Sequence, residues 1–105
     1  MSDLDPVFAA LGDPNRRRIL ERLAQGGAAS ASALVDEFPI SRQGIAKHLG
    51  LLEGAGLVFR GRDGRETLYT FDPESLDVLD AWTRTVTEQW NNRLARLAKL
   101  TEGEA

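Results

Sequence analysis

Few residues in this chain could do covalent chemistry. It has no cysteine and one histidine, His48. That removes disulfides, thiolate metal sites and cysteine nucleophiles together. No base stands beside a nucleophile, and no glycine-rich loop is built to cradle a phosphate, so an enzyme is excluded. What remains is hydrogen-bonding chemistry, concentrated in "SRQGIAKHLGLLEGAGLV", residues 41–58. An arginine can grip the edge of a guanine, a glutamine the edge of an adenine, and a lysine can reach a base or a phosphate. Arg42, Gln43 and Lys47 supply those three types within two helical turns.

Such side chains read a groove only when they share one exposed face. Ile45, Leu49 and Leu52 recur at four and three residues, which places them on one side of a helix over about 41–54, capped by Ser41. The other side then shows Arg42, Gln43, Ala46, Lys47 and Gly50. An ordinary solvated helix face has the same look, and these residues alone do not exclude it. Arg60, Arg62 and Arg65 surround Asp63–Gly64, a dipeptide suited to a tight hairpin because its turn needs positive φ. Arginines there suit a DNA backbone or a narrow minor groove. They also suit a charged guard against edge-to-edge strand pairing, and the two roles are compatible. Arg16, Arg17 and Arg18 form no single patch, since consecutive helical residues point about 100° apart.

The rest of the chain must hold these two features. "DLDPVFAALGD" opens with an Asp–Pro helix start and places Val7, Phe8 and Leu11 at helical spacing. In "DPNRRRILERLAQGG", Asp13 can cap and Pro14 fits the first turn. Ile19, Leu20 and Leu23 make an apolar stripe that Gly26 and Gly27 stop. "SASALVDEFP" gives a short helix with Leu34, Val35 and Phe38 inward. With the turn that follows and the helix 41–54, it has helix-turn-helix spacing. Two strands, about 57–62 and 65–71, form a wing over 57–71. "DPESLDVLDAWTRTVTEQWNNRLARLAKL" is one helix over about 73–100, and residues 101–105 are expected to form a disordered tail. The fold class is mainly α with a small β-hairpin wing, in the order α-α-α-α-β-β-α: a winged helix-turn-helix.

The whole is 105 residues, 42% hydrophobic, one domain's worth of chain. Its start lacks the pattern of a signal peptide, and no apolar run approaches the roughly 20 residues of a membrane span. A cytoplasmic protein without membrane association is expected. The formal charge is −3, which at first opposes DNA binding. Charge is unevenly spread, however. Residues 41–62 carry Arg42, Lys47, Arg60 and Arg62 against Glu53 alone, while 72–80 carry Asp72, Glu74, Asp77 and Asp80 with no base. A local basic patch governs phosphate contact more than the total does.

The segments "LGDPNRRRILERL", "ISRQGIAKHLGLLEGAGLV" and "GRDGRETLYTFDPESL" resemble the ArsR family of bacterial winged-helix repressors. The resemblance covers roughly residues 4–97. Its most specific parts are Asp-Pro-x-Arg-x-x-Ile-Leu from Asp13 and Ser-x-x-x-Ile-x-x-His-Leu-x-x-Leu-x-x-Ala-Gly-Leu-Val from Ser41. It implies a homodimeric DNA-binding transcriptional regulator; no cofactor is expected, for the reason given below. Its DNA-facing set would be Ser41, Arg42, Gln43, Gly44, Ala46, Lys47 and His48 on the fourth helix, with Arg60, Arg62 and Arg65 on the wing. Its first and last helices would make the dimer contact, through Val7, Phe8, Leu79, Trp82, Val86, Trp90, Leu94 and Leu97. His48 would touch the DNA backbone or pack behind the helix, and Arg16 would be structural or backbone-facing.

The residues themselves also support a dimer. Leu79, Trp82, Val86, Trp90, Leu94 and Leu97 form one stripe on a helix of about 27 residues, a rod of roughly 40 Å. That is longer than a domain this small can cover, and a symmetric partner would cover the excess. Two departures from the family matter. Gly44 and Ala46 stand where Ser, Thr or Pro is frequent, and Gly50 where Lys is common, so the reading face is thinned. The family's metal ligands, cysteines on the reading helix or Asp and His pairs on the last one, are missing, so metal sensing is not expected. An effector would be a small molecule in the dimer seam, or none exists. The thinned face keeps a second function class open, a winged-helix protein-interaction module that has lost DNA binding.

Overall fold

Short polar caps divide the helical part. The Asp13 carboxylate accepts hydrogen bonds from the amides of Asn15 and Arg16 at 2.8 and 3.1 Å. It thereby separates α1 (Leu4–Leu11) from α2 (Pro14–Gly26). Those amides, Arg16's above all, hold the Asp13 carboxyl below its ordinary pKa. Ser30 Oγ accepts from the Ala33 amide at 3.1 Å and opens α3 (Ala31–Glu37). Ser41 Oγ accepts from the Gly44 amide at 3.0 Å and opens α4 (Arg42–Gly54). The computed structural model of the chain describes residues 4–103.

The apolar stripes meet in one core. Val7 and Ala10 of α1, Ile19, Leu20 and Leu23 of α2, Leu34 of α3 and Ile45, Leu49 and Leu52 of α4 are buried together with Leu57 and Val58. Val35 and Phe38 pack around this cluster only half-buried.

The wing is an antiparallel pair, β1 (Val58–Asp63) and β2 (Glu66–Phe71), in register from Val58 opposite Phe71 to Asp63 opposite Glu66. Its turn is Gly64–Arg65, one residue later than the sequence pattern suggests. Gly64 has φ of 64° and no non-glycine described residue has positive φ. That fits a glycine-first type II′ turn and excludes type I′, which needs positive φ at both positions. Ala29 and Tyr69 exchange backbone hydrogen bonds of 3.2 and 2.8 Å, fastening the wing to the loop before α3.

The last element departs from expectation at both ends. Asp72 accepts from the Glu74 amide at 3.1 Å, and the Ser75 amide and hydroxyl both turn back to the Asp72 carbonyl. This tightens Pro73–Leu76 into a 3-10 turn. The α-helix proper, α5, then runs Asp77–Gly103. Residues 101–103, expected in a loose tail, are helical, with the Thr101 hydroxyl bonded to the Leu97 carbonyl. Glu104 and Ala105 lie outside the described residues. Leu76, Val78 and Leu79 pack on the core. From Asp80 to Glu102 every residue is exposed, so the molecule is 72 Å long and only 25 by 24 Å across. None of the described helices is long and apolar enough to cross a membrane.

Candidate nucleic-acid interface

The burial of α4 decides what it presents. Ile45, Leu49 and Leu52 are 0% exposed, which fixes the roll of the helix and turns Arg42, Gln43, Ala46, Lys47 and Gly50 outward. These five share one open face. Ser41 is also exposed; its oxygen caps the helix, and its hydroxyl proton remains free to donate.

Gly44 and His48 sit half-buried at the edges of that face. A Cβ on Gly44 would lie 2.7 Å from Cγ2 of Ile40 and 3.3 Å from Ser41 Oγ. Ile40 is β-branched and its methyl cannot swing aside freely. The glycine therefore admits the preceding turn against α4, which gives a packing reason for its departure from the family pattern. Arg42 reaches back across the helix-turn-helix, its Nη1 donating to Ser32 Oγ of α3 over 3.4 Å.

His48 meets Arg16, with Nδ1 3.4 Å from the guanidinium Nη1. An arginine only donates, so Nδ1 can take part in a hydrogen bond here only as the acceptor. Arg16 also donates from Nε to the Ala10 carbonyl at 2.8 Å and from Nη2 to the Ala9 carbonyl at 3.3 Å. It thereby adds a donor to the Ala10 carbonyl and a second one to the Ala9 carbonyl, which also accepts from the Gly12 amide, and ties α1, α2 and α4 together. Arg17 and Arg18 go elsewhere, to the Leu11 carbonyl and the Asn15 side chain.

On the wing Arg60, Arg62 and Arg65 are all exposed, but they are not equivalent. Arg60 Nε donates to Glu53 Oε2 of α4 at 2.9 Å. That hydrogen bond, and then the carboxylate's charge, raise the Arg60 pKa further. Arg62 and Arg65 form no ion pair among the described residues. Asp63 and Glu66, facing each other across the strands, add two acids at the wing tip. The patch is thus less basic than a count over residues 41–62 suggests, because the wing tip adds Asp63 and Glu66 from outside that window against the one further base Arg65. Among the described residues, Arg42, Lys47, Arg62 and Arg65 are its cations without an ion pair.

The residues expected at a dimer contact separate in the same way. Val7 is 1% exposed and belongs to the domain core, a correction that follows from the roll of α1. Leu79 is half-buried against the core. Phe8 and Trp82 meet edge to face, with ring centroids 5.0 Å apart, and together start an exposed apolar strip. Val86, Trp90, Leu94 and Leu97 continue it, each at least 43% exposed. Leu100, which the sequence reading omitted, extends it at 67% exposure; its three-residue step from Leu97 was the available signal.

Comparison with known proteins agrees with this architecture. Residues 11–58 match a family model described as a helix-turn-helix domain. The chain is 31% identical over 91 residues to the transcriptional repressor SdpR of Bacillus subtilis, covering 87% of this chain and all of that one. An ArsR-like transcriptional regulator from Rhodococcus sp. RHA1 superposes with a TM-score of 0.85 at 38% identity, over 93% of this chain and 92% of the other. A homodimeric winged helix-turn-helix DNA-binding domain from Mycobacterium bovis superposes with a TM-score of 0.65 at 26% identity, over 83% and 80% of the two chains. Sequence identity and superposition over most of the chain both lead to proteins named as transcriptional regulators, and the chain belongs to the ArsR family of winged helix-turn-helix transcriptional regulators.

Proposed function

We propose that the chain acts as a homodimeric repressor that lays α4 in the major groove and its wing along the adjacent backbone or minor groove. The observation that carries this reading is the exposed Arg42–Gln43–Lys47 face of α4 together with the wing arginines Arg62 and Arg65, which have no ion pair among the described residues. Arg42 and Gln43 stand in the first turn of α4, where a recognition helix meets base edges. Lys47, Arg62 and Arg65 supply sequence-independent phosphate contact. Ser41 donates to the backbone at the helix start, and Ala46 gives an apolar contact of the kind that suits a thymine methyl.

The apolar strip from Phe8 through Leu100 supports self-association. A large exposed apolar patch marks an interface, and a two-fold partner would present the same strip in return. The homodimeric Mycobacterium bovis domain supports the same assembly, and the name of SdpR supports repression. A regulator of this kind works in the cytoplasm, where bacterial DNA is.

A protein-interaction module without DNA binding is the second reading, favoured by the thinned face at Gly44, Ala46 and Gly50. Fluorescence anisotropy on duplex DNA from the region upstream of the chain's own gene, beside a scrambled duplex and a salt titration, separates the two. The regulator prefers the upstream duplex and loses affinity steeply with salt. Equal, weak binding to both duplexes, with no preferred site in a random-duplex selection, favours the module.

A further inference from the structure

Between α1 and the C-terminal half of α4 lies a cavity of about 260 Å³ whose walls include Pro6, Ala9, Gly50, Leu51 and Gly54, with Arg16 contributed by α2. The space exists because its lining is small. A Cβ on Gly50 or Gly54 would meet nothing within 4 Å. Leu51 remains 44% exposed beside it, on a helix whose other large apolar side chains are fully buried. The walls therefore favour an apolar body, and the volume lies below the range of drug-sized sites, so that body is small.

Arg16 gives the cavity a charge. A guanidinium has five N–H donors. The carbonyls of Ala10 and Ala9 and the imidazole of His48 engage three of them, leaving one N–H on each terminal nitrogen. Among the described residues no carboxylate lies within ion-pair distance of it. Asp13, the acid that feels its charge, is held by the amides that start α2. A single cation with donors to spare, at an apolar cleft, is complementary to one carboxylate on an apolar body.

We propose that this cleft is an effector site for a small monocarboxylate with an aromatic or short aliphatic body, seated with its carboxylate on Arg16. Two contacts make the site consequential. Its α1 wall carries Phe8, packed on Trp82 of the dimer strip, and its α4 wall is the reading helix. A carboxylate on the two spare N–H groups shares one guanidinium with His48 Nδ1 and so acts on the link between α2 and α4. The consequence for DNA rests on the regulator reading above, whereas binding in the cleft does not.

The test uses the full chain and two matched pairs of probes, benzoate against benzyl alcohol and hexanoate against hexanol. Titration is followed by amide NMR and calorimetry without DNA. The acids are expected to bind saturably and shift amides in residues 6–10 and 50–55. The alcohols, lacking the charge-assisted bond, are expected to bind about tenfold more weakly or worse. Gly54→Leu and, separately, Ala9→Leu fill the cleft and abolish binding while the NMR spectrum stays folded. Equal binding of acids and alcohols, binding that survives both filling variants, or no shifts at all overturns the site. Binding seen only after Trp90→Glu has split the dimer also overturns it, because the cleft would then be covered by the second copy. With DNA present, saturating benzoate is expected to change affinity about fivefold or more, and no change overturns the effector role. A chain that binds the acids but no DNA refutes the regulator reading instead.

Discussion

Phe8 of α1 and Trp82 of α5 meet edge to face at 87°, ring centroids 5.0 Å apart, and both stay more than 40% exposed. The pair fastens the first helix to the last and presents one continuous apolar surface. Beyond it α5 leaves the domain, so side chains further along have no core of their own to enter.

Trp90 lies in that outer part, 56% exposed. Trp90→Glu is expected to leave the fold intact and convert a sedimenting dimer to single chains. Val7→Glu, by contrast, puts a charge into the core and is expected to unfold the protein. A Trp90→Glu chain that still sediments as a dimer contradicts the role given to the strip.

Arg42 is tethered to Ser32 over 3.4 Å, a contact long enough to yield to a base. Arg42→Ala is expected to cost about 1–3 kcal/mol on the preferred site and to relax selectivity there. Anisotropy on a set of single-base variants of the site measures both. Unchanged selectivity removes Arg42 from base reading.

Glu53 holds Arg60 at 2.9 Å and so restrains a wing cation. Glu53→Gln is expected to free it, raising affinity for specific and scrambled duplexes alike and steepening the salt dependence by about one phosphate contact. A salt titration of the variant whose slope matches the parent's shows that Arg60 never reaches DNA.

Asp13 gives a prediction in pH. Its carboxyl is held below its ordinary pKa by the amides of Arg16 and Asn15, so the unfolded chain takes up its proton first as pH falls. The cap's contribution is complete above the unfolded value and is lost as pH falls through the lower folded one. Urea unfolding of Asp13→Asn, which keeps a capping oxygen without the charge, is expected to show a weaker acid-side loss of stability than the parent. Identical pH curves would mean that the cap's charge is not what the amides stabilise.

Two glycines of α4 should respond oppositely to the same change. Gly50 has open space, so Gly50→Ala is expected to stabilise by about 1 kcal/mol through helix propensity. Gly44→Ala puts a methyl 2.7 Å from Ile40 Cγ2 and is expected to lower the melting temperature. Thermal unfolding of both variants checks the assignment of Gly44 to packing.

Periodicity made the reading helix and the α5 stripe legible, because Ile45, Leu49 and Leu52, like Trp82, Val86 and Trp90, repeat at helical spacing. Caps at Asp13 and Ser41 were equally local. What escaped was set by tertiary contact. Val7 and Phe8 are adjacent in sequence, and only the roll of α1 against the core sends one inward and leaves the other out. The Glu53–Arg60 pair and the Arg16–His48 contact join residues of different elements, and neither spacing nor composition records which way those side chains turn. The hairpin turn moved by one residue because register is fixed by all the cross-strand pairs and not by the Asp63–Gly64 dipeptide alone.

Hydroxyl-radical footprinting on the preferred duplex, with the protein-to-duplex ratio measured on the same complex, tests the central claim most directly. A two-fold dimer reading with α4 and the wing predicts two inverted half-sites, each with a major-groove contact flanked by backbone protection, and two chains per duplex. A single one-sided footprint with one chain bound would contradict it.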